Sequence, residues 1–279
     1  MRRPRYCWHR GPGDTSTPSG VVLALAARRH GRQVRRYGRR VSELQFGADA
    51  PLLHVMSTMR AMRRLKPDPV PRELIEQLIT AASYAPSGGN NQTFSFVVVT
   101  DREPIAQLAP TWRRIVEWYT TTQTPPAHME QDAWQRLMGV LQHQAEHFEE
   151  IPVLIVACYE MRSAAARMLR TLDKQRAGLG VLGARRSLSA LRNTPRMLAT
   201  AETASIYPAV QNLLLMARAL GLAATLTTWH VMFENEFKSV LGIPGSVNTY
   251  AIIPVGWPAG RFGPVSRRSA SESIHWQKW

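Results

Sequence analysis

The residues best suited to chemistry stand at positions 85 to 92, Ala85-Pro86-Ser87-Gly88-Gly89-Asn90-Asn91-Gln92. Pro86 fixes the backbone where a preceding helix must end. Gly88-Gly89 removes two Cβ atoms, so that peptide N–H groups can lie directly against a ligand edge. Asn90, Asn91 and Gln92 each offer a donor and an acceptor, which complements a flat ring with alternating carbonyls and ring nitrogens, as in flavins, pterins and nucleobases. The same residue types also build an ordinary helix-to-strand connection, so the loop alone leaves both readings open.

A basic cluster precedes the loop. The run Val55 to Lys66 predicts a helix with Ser57 or Thr58 as N-cap, and it carries Arg60, Arg63 and Arg64. Arg60 and Arg64, four apart, would share a helical face, and two planar cations on one face suit phosphate oxygens. A solvated basic helix end is the plainer reading of that segment. A second constellation, His143-Gln144-Ala145-Glu146-His147, fits H-x-x-E-H, which on a helix presents two imidazoles for zinc with a carboxylate as general base. A third ligand in a defined helical context is not evident. A zinc metallopeptidase therefore stands as an alternative, and no metal ligand is assigned.

These residues need elements to position them. A helix is expected over Arg72 to Ala82 and a strand over Phe94 to Thr100. The Val- and Ile-rich run Ile151 to Tyr159 lacks polar alternation and reads as a strand covered on both faces, like Tyr250 to Val255. A long helix, Ile206 to Leu220, ends at Gly221. Residues 161 to 203 carry nine Lys plus Arg and read as a mobile insertion or a lid.

Taken in order, the Arg-x-x-Arg-Arg cluster, Pro-Asp-Pro-Val-Pro, the Ala-Pro-Ser-Gly-Gly-Asn-x-Gln loop and its strand resemble the FMN-dependent nitroreductase family. So do Ala204 to Leu222, Leu241-Gly242-Ile243-Pro244 and Ile252-Ile253-Pro254-Val255-Gly256-Trp257-Pro258. The resemblance implies an α+β three-layer sandwich with a mixed sheet flanked by helices, in an intertwined homodimer. It implies FMN as cofactor, NADPH or NADH as donor, and nitroaromatics, quinones or related small molecules as acceptors in a ping-pong cycle. No catalytic side chain is then needed, because the flavin carries the electrons and the protein orients it. A flavin-binding protein of the same fold that sequesters rather than turns over remains the alternative.

By the same resemblance, the FMN phosphate falls to Arg60 and Arg64 with Arg267 and Arg268 of the tail. Ala61, where many relatives have Ser, and Met62 line the same stretch. Pro86, Ser87, Gly88 and Asn90 approach the ring, with a backbone donor from Gly88 or Gly89 near the flavin N5, and Gln92 matches the family glutamine. Thr93-Phe94 replaces the usual Pro-Trp. Leu226 and Thr227 of the second subunit are expected over the other flavin face, with Gly256 on the strand that leads to the tail. Arginines of 161 to 203, as a lid, would meet the extra phosphate of NADPH.

Composition bounds the reading. At 279 residues and 44% hydrophobic content the chain can bury a sizeable core. Its two cysteines, Cys7 and Cys158, exclude a disulfide framework and a Cys-based zinc site. The apolar run Val21 to Ala27 is too short to span a bilayer, and Gly11-Pro12-Gly13-Asp14 and the basic residues beyond it weigh against a signal peptide. A cytoplasmic protein without a membrane partner is expected. The formal charge of +15 suggests nucleic acid, but residues 1 to 50 hold eleven Lys plus Arg against three Asp plus Glu. That segment lies outside the resemblance, so the charge argues for a flexible basic arm, or for coding sequence read from an upstream start, ahead of a domain over 51 to 279.

Overall fold

A computed structural model of the chain describes residues 46–160 and 172–279. Most of the basic arm and the first part of the expected lid lie outside the described residues. Helix α1 (Leu52–Thr58) is followed by the short strand β1 (Leu65–Lys66), helix α2 (Arg72–Ser83), a 3-10 turn at Gly88–Asn90 and strand β2 (Phe94–Val99). Helices α3 (Arg102–Thr122) and α4 (Gln131–Glu146) lead to strand β3 (Val153–Glu160). Helices α5 (Leu172–Leu182) and α6 (Ala184–Ala219) precede strand β4 (Ala223–Ala224), helix α7 (Glu234–Leu241) and strand β5 (Val247–Pro258).

The strands order as β1-β5-β3-β2, with β4 also on β5. The apolar character of β3 follows from its place. Val153, Ile155, Ala157 and Tyr159 face one core with α2 and α6, while Leu154, Val156 and Cys158 face the other with α3, α4 and α7. Strand β5 repeats this, Ala251, Ile253 and Val255 on one side and Ile252 on the other. A strand between two helical layers must be apolar at both parities, which is why alternation is lost. Each such side chain contributes about 1.5–3 kcal/mol on full burial.

The α+β sandwich is as expected, with one difference in the sheet. Every pairing among the described residues is antiparallel, with Val153 opposite Val255 and Glu160 opposite Val247, rather than mixed. The connection from β3 to β5 is long enough for either direction, so the sequence does not fix that sense. Helix α6 is also longer than the apolar pattern alone predicts. It begins at Ala184 and passes through Pro195 and Pro208, while its buried residues start only at Ser205. Two helices end as their glycines suggest: Gly221, just past α6, and Gly242, capping α7, have φ of 78° and 65°.

Candidate functional site

The arginine cluster is not helical. Helix α1 starts after Pro51 and ends at Thr58, and Met59 is extended. Ser57 and Thr58 therefore close the helix instead of opening it, and their hydroxyls donate back to the His54 carbonyl at 3.1 and 2.7 Å. Such local bonds, together with the proline-rich run that follows, favour extended backbone. Arg60 and Arg64 consequently share no helical face, which corrects the expected helix over this segment. The segment is held by backbone bonds from Met62 N–H to the Ala224 carbonyl, from Ala259 N–H to the Arg64 carbonyl, and from Val265 N–H to the Ser57 carbonyl.

Alternation then separates the arginines. The Arg60 guanidinium packs beside Gly263 in the tail, where a Cβ would stand 3.5 Å from its Nη1. Arg63 enters a cavity of about 150 Å³ with Leu226, Thr227, Thr228, Trp229, Trp112, Leu141 and Gln144. Arg64 is exposed and acts electrostatically on His143 instead. Arg63 is thus the arginine that sequence reasoning left without a role. Strand-like alternation after Met59 was the signal needed to find it.

The cavity carries one positive charge, that of Arg63, and no acidic side chain lines it. Arg63 has no ion pair among the described residues, and burial pushes its guanidinium below the ordinary arginine value, slightly offset by Tyr119. Gln144 Nε2 and Trp112 Nε1 are buried donors without a hydrogen-bond partner among the described residues. A guanidinium beside amide and indole groups suits a ligand edge that offers acceptors, and the Thr227 and Thr228 hydroxyls can donate or accept. Its wall is rigid: Trp229 stacks on Tyr119 at 4.0 Å and lies 6.2 Å from Trp112. Behind Trp229, buried His230 meets Thr249 Oγ1 at 3.0 Å, and Glu234 accepts from Thr249 N–H and from Lys238 at 2.7 and 3.0 Å.

The loop after α2 is strained as well as polar. Gly89, Asn90 and Gln92 have φ of 61°, 52° and 51°. A left-handed conformation costs a non-glycine residue roughly 1–2 kcal/mol, less for Asn, and such residues gather at functional sites. Ser87 Oγ accepts from Gln92 N–H at 3.0 Å, and Ser205 Oγ on α6 accepts from Gly88 N–H at 3.3 Å. Ser205 had no sequence signal of its own. Its bond gives the Gly88 amide a partner within the chain, while Pro86, Gly88, Asn90 and Gln92 are exposed.

The remaining candidates divide. Leu226 and Thr227 line the Arg63 cavity of their own chain. Met62 reaches the tail, 3.9 Å from where a Cβ on Gly260 would stand. Ala61 is exposed. Gly256 is buried, and a Cβ there would stand 2.8 Å from Pro152 Cγ, so its smallness serves packing of β5. Arg267 and Arg268 are exposed, and Arg267 donates to the Ser266 carbonyl. A second cavity of about 420 Å³ includes His54, Arg261 and the buried Arg218, whose guanidinium lies 4.2 Å from the Phe262 ring and 5.4 Å from that of Phe46.

A five-stranded antiparallel sheet between two helical layers, with a strained Gly-Gly-Asn loop on one of them, defines the nitroreductase-like class of α+β protein. Solved structures share this fold. A nitroreductase with bound FMN from Desulfitobacterium hafniense aligns at TM-score 0.53 and 17% identity, covering 81% of this chain and 98% of that one. Oxidized iodotyrosine deiodinase bound to FMN and 3-iodo-L-tyrosine aligns at TM-score 0.56 and 18% identity, covering 82% and 100%. The chain belongs to the Nitroreductase family, which it matches over residues 56–257. Among sequence relatives, an NADH dehydrogenase of Thermus thermophilus is 25% identical over 226 residues, 78% of this chain and 92% of that protein.

Proposed function

We propose that the protein is an FMN-dependent oxidoreductase. The observation that carries this is the cavity that Arg63 enters with no ion pair among the described residues, lined also by Gln144, Trp112, Leu226 and Thr227. A cavity of about 150 Å³ admits one edge of an isoalloxazine, not the whole ring. Arg63 there would hold the carbonyl-bearing edge, Arg60 beside Gly263 the phosphate with Arg267 and Arg268, and the loop Pro86–Gln92 the polar rim. Bound FMN would accept hydride from NADPH or NADH and pass electrons to a nitroaromatic, a quinone or a related acceptor.

The cradle is completed by a second copy of the chain. None of the loop residues Gly88, Asn90 and Gln92 lines the Arg63 cavity of its own chain, and a partner subunit would supply them. Exposed apolar residues support a homodimer: Leu52, Leu53 and Met56 on α1, and Trp276 in the tail, which is 77% exposed. No described helix is long and apolar enough to cross a membrane.

The test is the visible spectrum of the purified protein. A yellow protein that releases FMN on denaturation, and that NADPH or NADH bleaches without air, is the expected result. A colourless protein that cannot be reconstituted with FMN would remove the proposal.

A further inference from the structure

Helix α4 ends on two imidazoles that the candidate cofactor site does not use. His143 lies in the last turn and His147 caps it, so one turn separates them on a single face. Their rings are 4.0 Å apart. His147 Nδ1 lies 2.9 Å from the His143 carbonyl oxygen. A carbonyl only accepts, so Nδ1 carries the proton and the ring's lone pair is on Nε2. Metal-binding histidines are oriented in this way, with one nitrogen donating to the protein and the other left for the ion.

Glu146 adds a carboxylate, and one ligand atom from each of the three residues lies within 4.8 Å of the others. Two ligands of a tetrahedral ion, each about 2.1 Å from it, are about 3.4 Å apart. Closing the remaining gap takes a movement of about an ångström. Half-exposed His143 and His147 and exposed Glu146 can make it by side-chain rotation without disturbing α4.

We propose that His143, Glu146 and His147 bind one Zn²⁺, with a fourth coordination position open to water. Imidazole and carboxylate are ligands this borderline ion favours. Glu146 and nearby Glu150 favour a cation there and Arg64 opposes it. The site is not that of a peptidase. With Glu146 as a ligand the motif has no general base left, and among the described residues no further His, Cys, Asp or Glu joins the group. The ion would instead fix the last turn of a helix whose neighbouring residue, Gln144, lines the Arg63 cavity.

Calorimetric titration of the full chain with Zn²⁺ alone tests this independently of flavin. One equivalent should bind with micromolar affinity, and His143→Gln and His147→Gln should each weaken that step at least about tenfold, with Glu146→Gln intermediate. Zn²⁺ should raise the Tm of the parent protein and not that of the His143→Gln variant. Co²⁺ in place of Zn²⁺ should give the intense visible bands of a four-coordinate ion, lost in both histidine variants. Identical isotherms for parent and both histidine variants, or no one-equivalent step in the parent, would overturn the assignment.

Discussion

His230 makes the stability of the cavity wall dependent on pH. It is fully buried, and burial lowers its pKa from 6.5 to about 4, with nearby Glu234 only partly opposing the shift. The unfolded chain takes up a proton near the ordinary value, whereas the folded chain resists until about 4. Unfolding below the ordinary value therefore gains a proton, so the stability that neutral His230 allows is intact above about pH 6.5 and is lost as pH falls. At 1.36 kcal/mol per pKa unit, the loss is about 2 kcal/mol between roughly pH 7 and pH 5, and about 3 kcal/mol by roughly pH 4. Urea unfolding of the parent and of His230→Gln, at about pH 7 and pH 5, isolates this contribution, because titrations common to both proteins cancel in the difference. The parent should lose about 2 kcal/mol more than the variant on acidification. Equal losses would show that His230 is not held neutral, and the reasoning from its burial would fail.

Two further outcomes follow from the site and the sheet. Arg63→Ala and Arg60→Ala should each weaken FMN binding roughly ten- to a hundredfold, the worth of one charge-assisted hydrogen bond, while Arg64→Ala should leave it near the parent value. Titration of the apoprotein reads this, and a loss shared by Arg60→Ala and Arg64→Ala with none in Arg63→Ala would return the phosphate to Arg60 and Arg64 and remove the role given to Arg63. Gly256→Ala places a Cβ 2.8 Å from the rigid Pro152 ring and should cost about 1–3 kcal/mol, seen as a Tm several degrees lower. An unchanged Tm would mean that the β5 edge yields.

The sequence carried the core better than the site. Strands β3 and β5 were legible because a strand covered on both faces leaves an unbroken apolar run, and Gly221 marked a helix end because the left-handed turn needs it. The segment after Met59 was misread because Arg and Met are good helix formers, while its backbone bonds go to Ala224 and the tail, partners remote in sequence. Trp112 and Gln144 gave no local sign of a shared cavity, since they come from two different helices. Ser205 was hidden likewise, because its bond to Gly88 joins residues 117 positions apart. The first half of α6 lacked a buried stripe, so periodicity could not announce it.

Pro208 gives α6 two halves with different amide lifetimes. A proline has no N–H for the carbonyl one turn earlier, so the ladder is interrupted beside Ser205, where the helix passes from exposed to buried. The exposed residues Leu188, Leu191 and Met197 lie before this break, and Ala209, Val210 and Leu213 lie buried beyond it. Opening of the residues before Ala204 therefore leaves the core intact, and their hydrogens should exchange by local fraying while those after Ala209 wait for global unfolding. The loop that Ser205 holds by Gly88 sits at that boundary, so its order follows the softer half as much as the harder one.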